Sequence, residues 1–129
     1  MSKRNKIIYW VTTALVVFGM TGSGIAQLLH LEEMSGIIAH LGYPSYIMYI
    51  IGVWKLLGVV VILIPKFGLV KEWAYAGFFF LMSGALVSHL FMGDEGSAVF
   101  GPLFQLIFIV TSWYFRPASR KIAAASEAA

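Results

Sequence analysis

The stretch Ser45-YIMYIIGVWKLLGVVVILIPKFGLV-Lys71 decides the fold of this chain. Between positions 45 and 64 it is apolar, aromatic or small throughout, apart from Lys55. Wound as a helix at about 1.5 Å per residue, that run covers the roughly 30 Å of a bilayer's hydrocarbon core. Pro65 ends it, because proline cannot donate to the helical ladder, and Lys66 and Lys71 follow. A long apolar run, a breaker and then cations is the pattern of a helix that leaves the membrane on its cation-rich side.

Three further runs repeat the pattern, and the predicted spans are about 7–29, 45–64, 73–92 and 98–115. Pro102 is placed in the first turn of the last, where a missing N–H costs little. Between the first two spans, Leu31, Met34, Ile37, Ile38 and Leu41 recur at spacings of three and four, one face of a short interfacial helix. Gly42-Tyr43-Pro44 is the turn that stops it. The expected fold is all-α: an integral membrane four-helix bundle with a short interfacial helix between spans one and two. Residues 1–117 form its one membrane domain, and 118–129, alanine-rich from Ile122, a loosely ordered cytoplasmic tail.

Charge orients the spans. Lys3, Arg4 and Lys6 precede the first, Lys66 and Lys71 lie between the second and third, and Arg116, Arg120 and Lys121 follow the fourth. The other two connections hold Glu32, Glu33, Asp94 and Glu95 and no lysine or arginine. Cytoplasmic flanks are enriched in cations, so both termini are expected on the cytoplasmic side of an inner (plasma) membrane. Eight of the nine cations obey this rule, and the ninth, Lys55, lies within a span.

Composition agrees. The 129 residues are 60% hydrophobic and 12% charged, so the outside of the fold must be apolar as well as its core. The absence of cysteine excludes disulfides, thiol redox chemistry, cysteine-ligated iron–sulfur clusters and covalent haem attachment. The net charge of +3 comes without a basic stripe, which speaks against nucleic acid and leaves the lipid bilayer as the partner. Gly24-Ile25-Ala26 imitates a signal-peptide cleavage site, but the apolar run is longer than a signal core. Its small pairs Gly19/Ser23 and Gly22/Ala26 also suit contact between helices, so a retained span is expected.

Lys55 stands out chemically. It lies about nine positions, roughly 14 Å, below the start of its span, and a lysine that deep costs about 2.5–3.5 kcal/mol unless it faces the bundle interior. Gly52 and Gly58, three residues to either side, leave room on that face for a neighbouring backbone or for the ammonium. The alternative is a structural lysine paired with Glu32 or Glu33. Gln27, His89 and Gln105 lie at one depth and Thr21, Ser83 and Thr111 nearer Lys55, two polar strata consistent with a pocket. The candidate ligand-binding residues are Lys55, His89, Gln27, Gln105 and Ser83. Interhelical hydrogen bonding alone would also account for such polar groups. No catalytic residue is assigned. His30, His40 and His89 form no His-x-x-x-His pair, so no metal or haem site is expected.

Several blocks together, His40-Leu-Gly-Tyr-Pro44, Lys55-Leu-Leu-Gly58, Lys71-Glu-Trp-Ala-Tyr-Ala-Gly77, Gly84-Ala-Leu-Val-Ser-His-Leu90 and Phe115-Arg-Pro117, resemble the DoxX-like family across residues 7–117. The resemblance implies a bacterial four-helix membrane protein. The family takes its name from a membrane subunit associated with a thiosulfate:quinone oxidoreductase, while most DoxX-like members have no assigned activity. Any site shared through these blocks would use Lys55, Glu72, Ser88 and His89, with Glu72 on the cytoplasmic side and His89 on the outer one. The leading expectation is a non-catalytic membrane subunit or a protein that binds a small amphiphile, a quinone or a lipid. The next is the membrane subunit of a quinone-linked oxidoreductase, which requires a redox partner subunit because the chain carries no flavin, haem or cluster signature. A small-solute transporter ranks third, and it would require a homo-oligomer.

Overall fold

A computed structural model describes residues 2–122, which form five α-helices and a short 3-10 turn, with no strand among the described residues. They are α1 (Lys3–Leu28), α2 (Glu32–His40), α3 (Ile47–Leu63), α4 (Gly68–Phe91) and α5 (Ser97–Tyr114), with the 3-10 turn at Ala118–Arg120. α1 begins four residues ahead of the expected span because Ser2 caps it, its hydroxyl accepting from the Asn5 N–H at 3.1 Å. Lys3, Arg4 and Lys6 therefore ride on the first turns of the helix.

α4 also starts early. Lys66 and Phe67 both take left-handed backbone conformations (φ 65° and 56°), which reverses the chain quickly enough for the helix to restart at Gly68. Lys71 falls on its first turns and is buried, its ammonium donating to the Lys66 carbonyl at 2.6 Å. The reversal thus holds in place a cation that the charge count treats as an exposed flank. Pro102 is the sixth residue of α5, past the first turn, so it removes one ladder donor from within the helix.

Each of the four longer helices packs on two others, closing a ring in the order α1, α3, α4, α5, and α2 lies against α1. Val16, Met20, Val59, Ile62, Tyr75, Phe78, Met82 and Ile109 fill the centre. Two glycines set close approaches on either side of Lys55. A Cβ on Gly52 would come within 2.8 Å of Leu28 and 2.9 Å of the Gly24 carbonyl, so α1 and α3 meet backbone to backbone there. A Cβ on Gly58 would lie 2.6 Å from the Phe78 ring, which reaches across from α4. Both flanks of Lys55 are thus occupied by neighbours. Gly22, by contrast, faces open space, and it is Gly24 that makes the α1 contact.

The exterior is as apolar as the core. Phe18 is 83% and Phe91 87% exposed, and Trp54, Phe80 and Trp73 also face outward. Apolar residues on every side of a ring of helices mark a surface that lipid, not water, must cover. By length and composition α1, α4 and α5 are able to cross a membrane, and α3, at 17 residues, is a shorter apolar helix. One end of the ring carries Lys3, Arg4, Lys6, Lys66, Arg116 and Arg120, and the other carries Glu32, Glu33, Asp94 and Glu95. They are called the basic and acidic ends below.

The start of the expected tail is docked. Arg120 donates to the carbonyls of Ile62, Leu63 and Ile64 at 2.7–3.2 Å, which satisfies the open end of α3. Its guanidinium lies 5.0 Å from the Trp10 ring centre. The remainder of the expected tail, residues 123–129, lies outside the described residues.

Candidate functional site

α3 brings Lys55 to the inside of the ring, where it is only 4% exposed. Its ammonium donates to Ser23 Oγ of α1 at 2.9 Å, and Ser23 in turn donates to the Gly19 carbonyl. Glu32 and Glu33 are exposed and do not pair with it. Ser23 has the place that a pairing with those acids would have filled. In the sequence Ser23 reads only as a small packing residue, so the contact is invisible there.

Lys55, Gln27 and His89 line one cavity of about 260 Å³ beneath α2, roofed by Ile38, Leu41 and Tyr43. Gln27 is buried, and its Oε1 has no hydrogen-bond partner. Of the five expected residues these three converge and two do not. Gln105 Nε2 instead reaches the Leu15 carbonyl at 3.5 Å and occupies the space left by Gly19. Ser83 turns back on its own helix and donates to the Phe80 carbonyl at 3.1 Å.

Side chains bond one another beside the cavity. His89 donates from Nδ1 to Asp94 Oδ2 at 2.8 Å, and His40 Nε2 lies 2.8 Å from Oδ1 of the same carboxylate. Tyr43 and Ser88 share a 2.7 Å hydrogen bond beside them. Asp94 therefore joins α2 to the end of α4. The hydrogen bonds from His89 and then His40 hold its carboxyl below the usual carboxylate range. Sequence reading assigned Asp94 to the charge rule alone. Its position five residues after His89 was a weak cue, and the pairing with His40 follows only from the fold. His30 stands apart, its ring stacked on Tyr49 at 4.2 Å between centres. Among the described residues no three histidine, aspartate or glutamate side chains are grouped so as to hold a metal ion.

A second cavity of about 850 Å³ opens between α3 and α4, lined by Trp54, Leu57, Gly58, Val61, Trp73 and Phe78 among others. It shares Lys55, Phe80 and Leu81 with the first. Lys55 thus lines both a small chamber, in which Gln27, Ser88 and His89 are polar groups among mostly apolar neighbours, and the larger apolar groove beside it.

The other buried polar group of residues serves packing. Ser112 of α5 bonds Thr13 of α1 and Tyr75 of α4, each at 2.7 Å, inside the basic half of the ring. Glu72 accepts from Trp113 Nε1 at 2.9 Å and pairs with Arg116 at 2.9 Å, so it fastens α4 to α5 and does not belong with His89.

An apolar exterior, apolar helices of membrane-crossing length and polar groups turned to the interior define an α-helical membrane protein. A family model described as the DoxX-like family matches residues 11–114, and the chain belongs to that family. No curated protein and no solved structure matches it.

Proposed function

We propose that this DoxX-like chain is a four-span protein of the bacterial plasma membrane, with both termini in the cytoplasm, that binds a small amphiphile, a quinone or lipid, without itself catalysing a reaction. What carries the reading is the position of Lys55, which lines both a chamber holding Gln27 and His89 and the adjoining apolar groove between α3 and α4. Such a junction suits a molecule with a polar head and an apolar body. The unpartnered Gln27 Oε1 at the head position favours a ligand over simple packing, since buried polar groups are ordinarily paired.

The fourth span is α3. Its 17 residues rise about 25 Å, at the low end of the range that crosses a bilayer, and Tyr46 and Lys66 stand where an interfacial aromatic and a cation would anchor it. The segregation of cations and acids to opposite ends supports the orientation.

Binding is tested by native mass spectrometry of protein purified with its lipids. A bound amphiphile should appear with the natural chain and be lost with Lys55→Ala or His89→Ala, and spectra unchanged by both would sink the pocket. Because the chain has no cysteine, orientation can be read from single introduced thiols. Ser97→Cys should react with an impermeant reagent outside intact cells, and Ser119→Cys only after lysis.

A further inference from the structure

Building on that reading, we propose that the bound amphiphile is a single-chain acid, whose carboxylate sits against Lys55 and Gln27 and whose tail fills the groove between α3 and α4. Charge is the first argument. Lys55 is buried well inside the fold, and its ammonium meets a neutral hydroxyl only. Asp94 is taken by His40 and His89, Glu72 by Arg116, and Glu32, Glu33 and Glu95 are exposed. Among the described residues no carboxylate serves Lys55. A buried ammonium needs a counter-charge to offset its lost hydration, and a ligand carboxylate supplies one where a neutral quinone carbonyl or ester does not.

Gln27 is the second. Gln27 is buried and lines the same chamber as Lys55, and its Oε1 has no hydrogen-bond partner, so the amide is free to turn its NH₂ toward an oxygen of the same head group. An ammonium and an amide together match the two oxygens of a carboxylate.

Size and shape supply the third. The chamber, at about 260 Å³, falls below the roughly 300–1,000 Å³ of pockets that enclose drug-sized molecules. It admits a small head, whereas a glycerophosphate bearing two chains would overfill it. The adjoining groove, of about 850 Å³, is lined by apolar side chains that include Trp54 and Trp73 and has Lys55 in its wall.

Those two tryptophans provide the readout. The full chain in maltoside micelles is titrated with 9,10-dibromostearic acid and, separately, with its methyl ester, whose bromines quench nearby indoles. Saturable quenching by the acid is expected, with the ester weaker by about tenfold or more, the loss of a charge-assisted hydrogen bond. In Lys55→Met the two probes should become equal. Equal binding of acid and ester to the natural chain overturns the carboxylate head and leaves the amphiphile reading standing. The same separation holds if neither probe binds while a short-chain quinone does. If none of the three binds and nothing co-purifies, both proposals fall.

Discussion

The two ends of the helix ring use polar side chains in opposite ways. At the basic end most are spent on the fold, although Asn5 Oδ1 and Arg116 Nε find no partner: Arg120 closes α3, Lys71 braces the α3–α4 reversal, Glu72 and Arg116 join α4 to α5, and Ser112 ties three helices together. Toward the acidic end Gln27 Oε1 has no hydrogen-bond partner, Lys55 meets one hydroxyl and has no counter-charge among the described residues, and His40, His89 and Asp94, like Tyr43 and Ser88, bind one another beside a cavity. Unspent polarity in a buried place lowers stability, so a fold keeps it only where it does something else. On the proposed reading Lys55 is kept for binding and the basic-end groups for the fold, so replacing Lys55 should change stability in the opposite direction to substitutions at the basic end.

The largest effect is expected at the basic end. Arg120→Ala removes a cation that satisfies three carbonyls at the end of α3 and covers Trp10. Hydrogen bonds from charged donors contribute about 1.5–3 kcal/mol each when buried, and partial exposure here reduces the total, so a loss of about 3 kcal/mol is expected. Reversible unfolding in mixed micelles measures it, and a loss under about 0.5 kcal/mol, the range of an ordinary surface change, would dissolve the contrast. Ser112→Ala should cost about 2 kcal/mol by the same assay, because it leaves the Thr13 and Tyr75 hydroxyls to find new partners in a dry interior.

Lys55→Met should have the reverse sign. It exchanges a buried cation, satisfied by one hydroxyl, for an apolar side chain of similar length, and a gain on the order of 1–2 kcal/mol is expected in ligand-free protein. In the same variant binding of the acid should fall to that of its ester. Stability rising while binding falls is the signature of a residue kept for function. A destabilised Lys55→Met that still binds would make Lys55 a structural lysine and erase the difference between the ends.

Why the basic end was so poorly legible in sequence follows from the same physics. Hydrophobic runs, breakers and the one-sided cations are local signals, and they yielded the helices, the interfacial α2 and the isolation of Lys55. Depth along a helix is also local, so Gln27, Lys55 and His89 could be set at neighbouring levels before their convergence was seen. Facing direction is not local. Gln105 and Ser83 matched the others in depth, yet they point toward α1 and back along α4. The Ser112 junction and the hold of Arg120 on α3 join residues 37 to 99 positions apart, and nothing in the spacing of Thr13, Tyr75 and Ser112 announces that they meet. Asp94 is an intermediate case, with His89 close in sequence and His40 brought to it only by the packing of α2.

The smallest effect is expected where the acidic end closes on itself. His89 and His40 hold the Asp94 carboxyl below its ordinary value, so this contribution is present in full above the unfolded carboxylate value near 3.8 and is lost as pH falls through the depressed folded one. Over the range of about pH 5–8 Asp94 therefore stays ionised and its bond to α2 persists; only stronger acid releases it. Protection of the α2 amides in hydrogen exchange, corrected for the intrinsic rate at each pH, should stay flat down to about pH 5 and drop only in stronger acid. Asp94→Asn, which keeps the shape but not the charge, should show the weaker protection at every pH while leaving the basic end untouched. Protection in Asp94→Asn equal to that of the natural chain would mean that packing against α1, and not the carboxylate, holds α2 over the cavity.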